Sequence, residues 1–378
     1  MKTKPISQVF CFLISIPAVA HAVRFVAIED LPGGLDSNTA FSVSDDGSVI
    51  VGAGHVGTIA EPYRWTQASG PISLGNFPMS GAADEAFGVS GDGSIVVGFG
   101  KNSSNRDEAF RWTAATGMVG LGGIDSWATG ISRDGSVIVG RSHPTNHAEA
   151  FRWTEAEGLV GIGGLVPNIS NSIALGTSQD GSVIVGWADS PSWSGAEVFR
   201  WTEAGGMVGL GELPGGSFES VAHAVSADGN VVVGNSESEL GQEAFRWTEN
   251  TGMQPLGFLP GGGDFSLARA ASADGSVIVG QSDSSSPGNG AFIWTEATGM
   301  VQLYGYLEDQ GVDLLGLVNL GTAAAISPDG KVIVGTGSDS QSRETAWVVY
   351  LVPEPSSMVM LLVGIGLFLA GRSSGHRT

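Results

Sequence analysis

Few residues in this chain are of types and at spacings that could carry chemistry. Three tryptophans, Trp127, Trp187 and Trp193, stand outside the rhythm that places the other seven. An indole offers a flat apolar face on which a sugar ring can stack; a hydrophobic cap over a loop is the plainer role for the same residue. His143 and His147 bracket Pro144-Thr145-Asn146. Two imidazoles this close could begin a metal site, which would still need a third ligand and a fixed backbone, and a solvated loop accounts for the pair more simply. These five are the candidate ligand-binding residues. The aspartates of seven Asp-Gly pairs could be read as a calcium array, but one calcium ion takes six to eight oxygens. Side-chain-to-backbone bonds that fix a turn explain them better. Glu29 with Asp30 and Asp45 with Asp46 are neighbours along the chain, which on a strand sends them to opposite faces. No nucleophile motif, phosphate loop or zinc pattern appears. The sequence therefore assigns no catalytic residue, metal or cofactor.

The elements that must position these residues repeat. Asp-Gly recurs at Asp46, Asp92, Asp134, Asp180, Asp228, Asp274 and Asp329, at intervals of 42 to 55 residues. A strand centred on Trp65, Trp112, Trp153, Trp201, Trp247, Trp294 or Trp347 follows each pair. This period belongs to repeat architectures. Each unit predicts four short strands. Strand A is Ala-rich, as in Ala222–Ser226, and the Asp-Gly turn closes it to strand B. Strand B is an apolar run such as Val231–Gly234, suited to cover on both faces. Strand C is Phe-Arg-Trp-Thr, with Phe and Trp on one face, and its Arg is expected to be structural, paired with carboxylates of a neighbouring unit. Strand D is typified by Met207–Gly211.

Four strands per unit is the content of a β-propeller blade. The seventh unit ends after strand C, while Arg24–Gly34 stands ahead of the first unit as a lone D-like segment. Its Leu-Pro-Gly-Gly tail matches Leu213–Gly216 and Leu259–Gly262. Joining the two predicts an all-β, seven-bladed propeller whose last blade is closed by the N-terminal strand, with no open sheet edge at the seam. An open β-solenoid is the alternative. In the closed ring His223 lines the central channel. The B–C loops (141–148, 187–197, 281–290) and the D–A loops (76–85, 212–221, 306–322) share one face, vary between copies, and are where binding is expected. That face would hold Trp127 on a D–A connection, and Trp187 with Trp193 on one B–C loop.

Of 378 residues, 59 are glycine, and 38 acidic against 17 basic residues give a net charge of −21. A chain this acidic is a poor partner for nucleic acid, whose phosphates call for a basic face. The one cysteine, Cys11, rules out an internal disulfide framework. Cys11 also falls within residues 1–22, where Lys2 and Lys4, an apolar run from Val9 to Ala20, and Ala20-His21-Ala22 predict a secretory signal peptide cleaved after Ala22. The secretion machinery is the partner this implies. The propeller is then residues 23–350.

Residues 351–378 carry Val352-Pro353-Glu354-Pro355, an apolar run from Met358 to Gly371, then Arg372 and Arg377. As a helix that run spans about 21 Å at 1.5 Å per residue, short of the ~30 Å hydrocarbon core, and the arginines would stay cytoplasmic. Motif, short apolar span and sparse basic end resemble the PEP-CTERM sorting signal of Gram-negative bacteria. The resemblance implies recognition by an exosortase at the inner membrane, and such proteins accompany exopolysaccharide gene sets. A permanent transmembrane anchor is the alternative; both put the repeats outside the cytoplasm. The repeats themselves resemble the extracellular HAF repeat, with Glu108-Ala109-Phe110, Glu149-Ala150-Phe151 and Glu243-Ala244-Phe245 at its His-Ala-Phe core. That resemblance implies an exported repeat protein and brings no catalytic residue. The expectation is a non-enzymatic scaffold at the cell envelope or in the extracellular matrix, binding polysaccharide or a surface component. A propeller-type glycan hydrolase or lyase is the alternative.

Overall fold

Seven four-stranded antiparallel sheets follow one another along the chain in a computed structural model. It describes residues 23–34, 37–77, 84–166, 171–191, 195–217, 219–285 and 289–351. The expectations for Ala20 and Ala22, for Pro353, Glu354, Pro355 and Arg372, and for Trp193 lie outside the described residues. Blade 1 is Thr39–Val43, Ile50–Val56, Ile59–Thr66 and Gly70–Ser73, strands A to D in order. Blade 7 is built as the split unit predicts. Its strands A, B and C are Leu317–Ile326, Val332–Asp339 and Glu344–Tyr350. Its strand D is Arg24–Ala27, with Arg24 opposite Tyr350 and Ala27 opposite Trp347.

The apolar runs of strand B are buried on both sides because each lies between two neighbouring blades. Ile50 packs with Val332, Val334 and Val348 of blade 7, while Val51 packs with Ala86 and Val89 of blade 2. The glycine that ends each run faces the aromatic of strand C: Gly98 opposite Phe110, Gly186 opposite Phe199, Gly335 opposite Trp347. The large ring occupies the place a Cβ would need; at Gly335 that atom would stand 2.5 Å from the Trp347 indole. Trp347 thus holds the Phe position of its strand, two residues before the Trp position, which Val349 fills.

Each Asp-Gly turn is wired identically. In blade 6 the Ser272 hydroxyl donates to Asp274 Oδ1 (2.7 Å), which also accepts the Ser276 amide (3.0 Å). Ser272 Oγ in turn accepts the Val277 amide at 3.0 Å. The partners of the strand-C arginines differ from the neighbouring-unit carboxylates expected: Arg152 pairs with Glu157 of its own blade at 2.7 Å. Arg200 and Arg246 donate from Nε to the carbonyls of Gly229 and Gly275, in the next blade's turn.

Two devices fix the angle between blades. Where strand A begins, a buried Ser reaches the preceding blade: Ser172 Oγ accepts the Ala150 amide (2.9 Å) and donates to Gly163 O (2.6 Å). Ser126, Ser220 and Ser266 repeat this. Beside each turn, a ring of backbone bonds runs from blade to blade, Asp45 to Gly91 to Arg133 to Gln179 to Ala227 to Ala273 to Pro328, at 2.8–3.1 Å. Pro328 has no N–H, so the ring opens at the junction of blades 7 and 1. There Asn38 replaces the Ser, its Oδ1 accepting the Ala346 amide at 2.6 Å and its Nδ2 donating to the Ile28 and Glu29 carbonyls.

The stretch 306–322, expected as a loop, is not one. It begins inside a short helix, Leu303–Asp309, and ends in strand A of blade 7. Leu303 and Leu307 share one helix face and are buried in the blade 6–7 core. No helix among the described residues is long and apolar enough to cross a membrane.

Candidate functional site

Every strand A carries a β-bulge at the same place. The register shifts between Ala40 and Ser42, Ala86 and Gly88, Ala128 and Gly130, Ala174 and Gly176, Ala222 and Ala224, Ala268 and Ala270, and Ala323 and Ala325. A bulge inserts one residue that pairs with nothing and re-aims its side chain. The inserted residues are Phe41, Phe87, Thr129, Leu175, His223, Arg269 and Ala324, and all seven line a central cavity of about 870 Å³. Their flanks are Ala on one side and Ser, Gly or Ala on the other, so the backbone is held alike while the inserted residue varies. This ring was not among the candidates read from the chain. The signal was present as the one variable position in an otherwise repeated Ala-x-(Ser/Gly/Ala) segment, visible only when the repeats are stacked on the bulge.

A second tier follows the buried glycine of strand B: Ala53, Phe99, Arg141, Trp187, Asn235, Gln281 and Thr336. Some of these reach the cavity and others brace the first ring. Arg141, Trp187 and Thr336 line it. Phe99 stacks on Phe87 (5.7 Å between centroids) and on Trp127 (4.3 Å, interplanar 11°). Asn235 Oδ1 lies 3.0 Å from His223 Nε2 and braces the ring.

The tryptophans sit deeper than loop positions. Trp187 belongs to strand B of blade 4, Val183–Asp189, and not to the loop assigned to it; Trp127 opens strand A of blade 3. The alternation of their strands turns both to the cavity. Trp127 is held between Phe99 of blade 2 and the Arg141 guanidinium of its own blade, 4.1 Å from its centroid. Its Nε1 donates to Asp107 Oδ2 at 2.9 Å. Trp127 therefore carries Arg141 to the cavity rather than offering a bare face. Trp187, half-buried, has no ring partner among the described residues.

The histidines separate. His143 is tied to the backbone at Ile124 and Asp125, while His147 is exposed on the loop. Among the described residues no three His, Cys, Asp or Glu side chains lie together as metal ligands. His223 lines the cavity as expected. Burial and the neighbouring Arg269 charge lower its pKa to about 4, against a smaller opposing effect from Asn235. At neutral pH the ring is uncharged.

At the Asp-Gly end Arg133 reaches past blade 2 to Asp45 Oδ1 (2.9 Å) and the Val43 carbonyl (3.2 Å). The bridge passes over Gly91, where a Cβ would stand 2.5 Å from Asp45 Oδ2. Arg133 is thereby a lining residue whose charge is already paired.

No protein-family model matches the chain, and no curated protein sequence matches it. Solved structures do. Oligogalacturonate lyase of Vibrio parahaemolyticus superposes with a TM-score of 0.54 at 13% identity, over 88% of this chain and 98% of that one. The β-propeller domain of the Trilobed protease of Pyrococcus furiosus, described as having an open velcro topology, gives 0.54 at 11% identity over 83% and 92%. TolB of Acinetobacter baumannii gives 0.47 at 14% over 71% of this chain, which spans 64% of that protein. At such identities the likeness is one of fold: this chain is a seven-bladed propeller, closed at its seam by its own N-terminal strand.

Proposed function

We propose that this protein is an exported, non-enzymatic binding propeller of the cell envelope or extracellular matrix, and that a polysaccharide or other surface glycan enters its central cavity. The carrying observation is the ring of bulge residues. A frame repeated seven times varies where its side chains meet the cavity, and variation on a fixed scaffold is how a binding wall is made specific. Phe41, Phe87 and Trp187 supply apolar surface for sugar faces. Export rests on the resemblance of residues 1–22 to a signal peptide and of residues 352–378 to the PEP-CTERM signal.

A lyase is the second reading, favoured by His223 and Arg269 standing side by side on the wall. An imidazole held down to about 4 is a weak base for taking a proton from carbon at neutral pH, so binding is the better account. Among the described residues the lining holds one carboxylate, Glu344, whereas hydrolysis of a glycosidic bond draws on two.

The test is an array of bacterial polysaccharides probed with the purified full chain, scored for binding and for new reducing or unsaturated ends. Binding without cleavage, lost in Trp187→Ala, is the expected result. Cleavage would overturn the non-enzymatic reading. Mass spectrometry of the mature chain from its host tests export; retention of residues 1–22 would sink it.

A further inference from the structure

The cavity wall inverts the charge of the chain. Acidic residues outnumber basic ones 38 to 17 overall, yet among the described residues the lining holds three arginines, Arg133, Arg141 and Arg269, against Glu344. Arg133 is spent on Asp45. Arg141 lies over Trp127 and feels the charges of Asp107 and Asp125, of which Asp107 is also held by Lys101 Nζ at 2.5 Å and by Trp127 Nε1. Arg269 is the plainest case. It is the inserted residue of its bulge, it is open to the cavity, and among the described residues it makes no hydrogen bond or ion pair. Its neighbour in the ring, His223, is neutral and so neither pairs with it nor replaces it.

An unpaired guanidinium on a surrounded wall is a poor choice for stability, since its five donors go without a fixed partner. It is a good choice for recognition, because the planar fork matches a carboxylate in bidentate fashion. Blades 1 and 2, on the other part of the ring, present Phe41 and Phe87, and blade 4 presents Trp187. A ligand suited to both parts has a flat apolar face and an acid group on the same small ring. Nucleic acid, the other common polyanion, would meet a molecule of net charge −21 along its whole length; a short segment threaded into the cavity meets chiefly the arginines.

We infer that the cavity takes an acidic oligosaccharide, a uronic-acid-bearing glycan whose carboxylate is held by Arg269, with Arg141 as the second cation on the wall. This rests on the glycan-binding reading above and narrows it to one chemical class.

The experiment titrates the full chain with a short oligoglucuronate and with the same oligosaccharide after its carboxyl groups are reduced to alcohols. Quenching of tryptophan fluorescence reports binding. The acidic form is expected to bind about tenfold or more tightly than the neutral form, the difference a charge-assisted hydrogen-bond pair makes. Arg269→Gln should weaken the acidic form several-fold and so shrink the gap between the two forms, Arg141 keeping the remainder; an undiminished gap would overturn the assignment to Arg269. The variant's thermal unfolding temperature should not fall, because Arg269 makes no bond that holds the fold. Trp187→Ala should weaken both forms. Equal binding of both forms by the unaltered chain would overturn the acidic assignment while leaving glycan binding in place. Binding of neither would overturn both. Competition by inorganic sulfate as strong as that of the oligosaccharide would make this a plain anion site and overturn the sugar assignment.

Discussion

At the seven Asp-Gly turns, two side chains do the work of peptide groups that a hairpin leaves over. Ser178, 1% exposed, donates to Asp180 Oδ1 and accepts the Val183 amide. Ser178→Ala strands that buried amide and is expected to cost about 1–3 kcal/mol, read by urea denaturation. The aspartates carry a pH signature. Hydrogen bonds from the Ser276 hydroxyl, the Ser276 amide and the Ser272 hydroxyl lower the Asp274 carboxyl to about 2. The other six turn aspartates are lowered as well. A pKa lower in the folded than the unfolded chain gives stability that is complete above the unfolded value, near 4, and is lost as pH falls through the folded one. Acid should therefore weaken the protein between about pH 4 and about pH 2. Burial raises Asp84 and Glu85, and their protonation works the other way at higher pH. Asp274→Asn keeps an acceptor and removes the titration, so its stability should fall less steeply across that window. Denaturation curves at stepped pH give the slope, and an unchanged slope would show that Asp274 takes no part.

At the scale of the element, the turn glycines answer to two demands at once. Gly181 has φ of +72°, and a Cβ there would overlap the Val137 side chain of the preceding blade. Gly206, in a C–D turn, has φ of +67° with open space around it. Gly206→Ala should cost about 1–2 kcal/mol for the left-handed backbone alone, and Gly181→Ala measurably more, because it adds the blade contact. Equal losses in thermal denaturation would mean that the Val137 contact carries no weight. The same distinction explains what could be read from the chain. Asp-Gly pairs, apolar runs ending in Gly, and the D-like segment ahead of blade 1 each have one local physical meaning, so the blades and their seam were legible. The bulge was not, because Ala-His-Ala and Ala-Arg-Ala look like ordinary alternation until the partner strand fixes the register. Trp187 looked like a loop residue because its strand runs past the buried glycine by three residues, to Asp189. The helix at Leu303–Asp309 has no side-chain cap and is short, leaving only Leu303 and Leu307 as a period too brief to separate from a loop.

Across the whole molecule, one junction differs from the rest. Between blades 7 and 1 the ring of backbone bonds lacks a donor at Pro328, and the polypeptide crosses only through the segment that leaves Arg24–Ala27. What holds there instead is the pairing of that strand with Glu344–Tyr350, the Phe25–Trp347 ring contact at 6.3 Å, and Asn38. Asn38 is 2% exposed and makes three side-chain bonds, where Ser172 at the blade 3–4 junction makes two. Asn38→Ala is expected to cost about 2–4 kcal/mol and Ser172→Ala about 1–3 kcal/mol, counting the buried groups each leaves unpaired. The two should also differ in where the ring opens. Losing Asn38 frees the seam, so amide exchange should accelerate at Ala346–Val349 while blade 4 keeps its protection. Losing Ser172 leaves neighbours joined by chain and by the Arg133–Gln179 bond, and exchange should rise only when the whole molecule unfolds. If Asn38→Ala speeds exchange evenly through all seven blades, the seam is no weaker than any other junction, and the propeller opens as one unit.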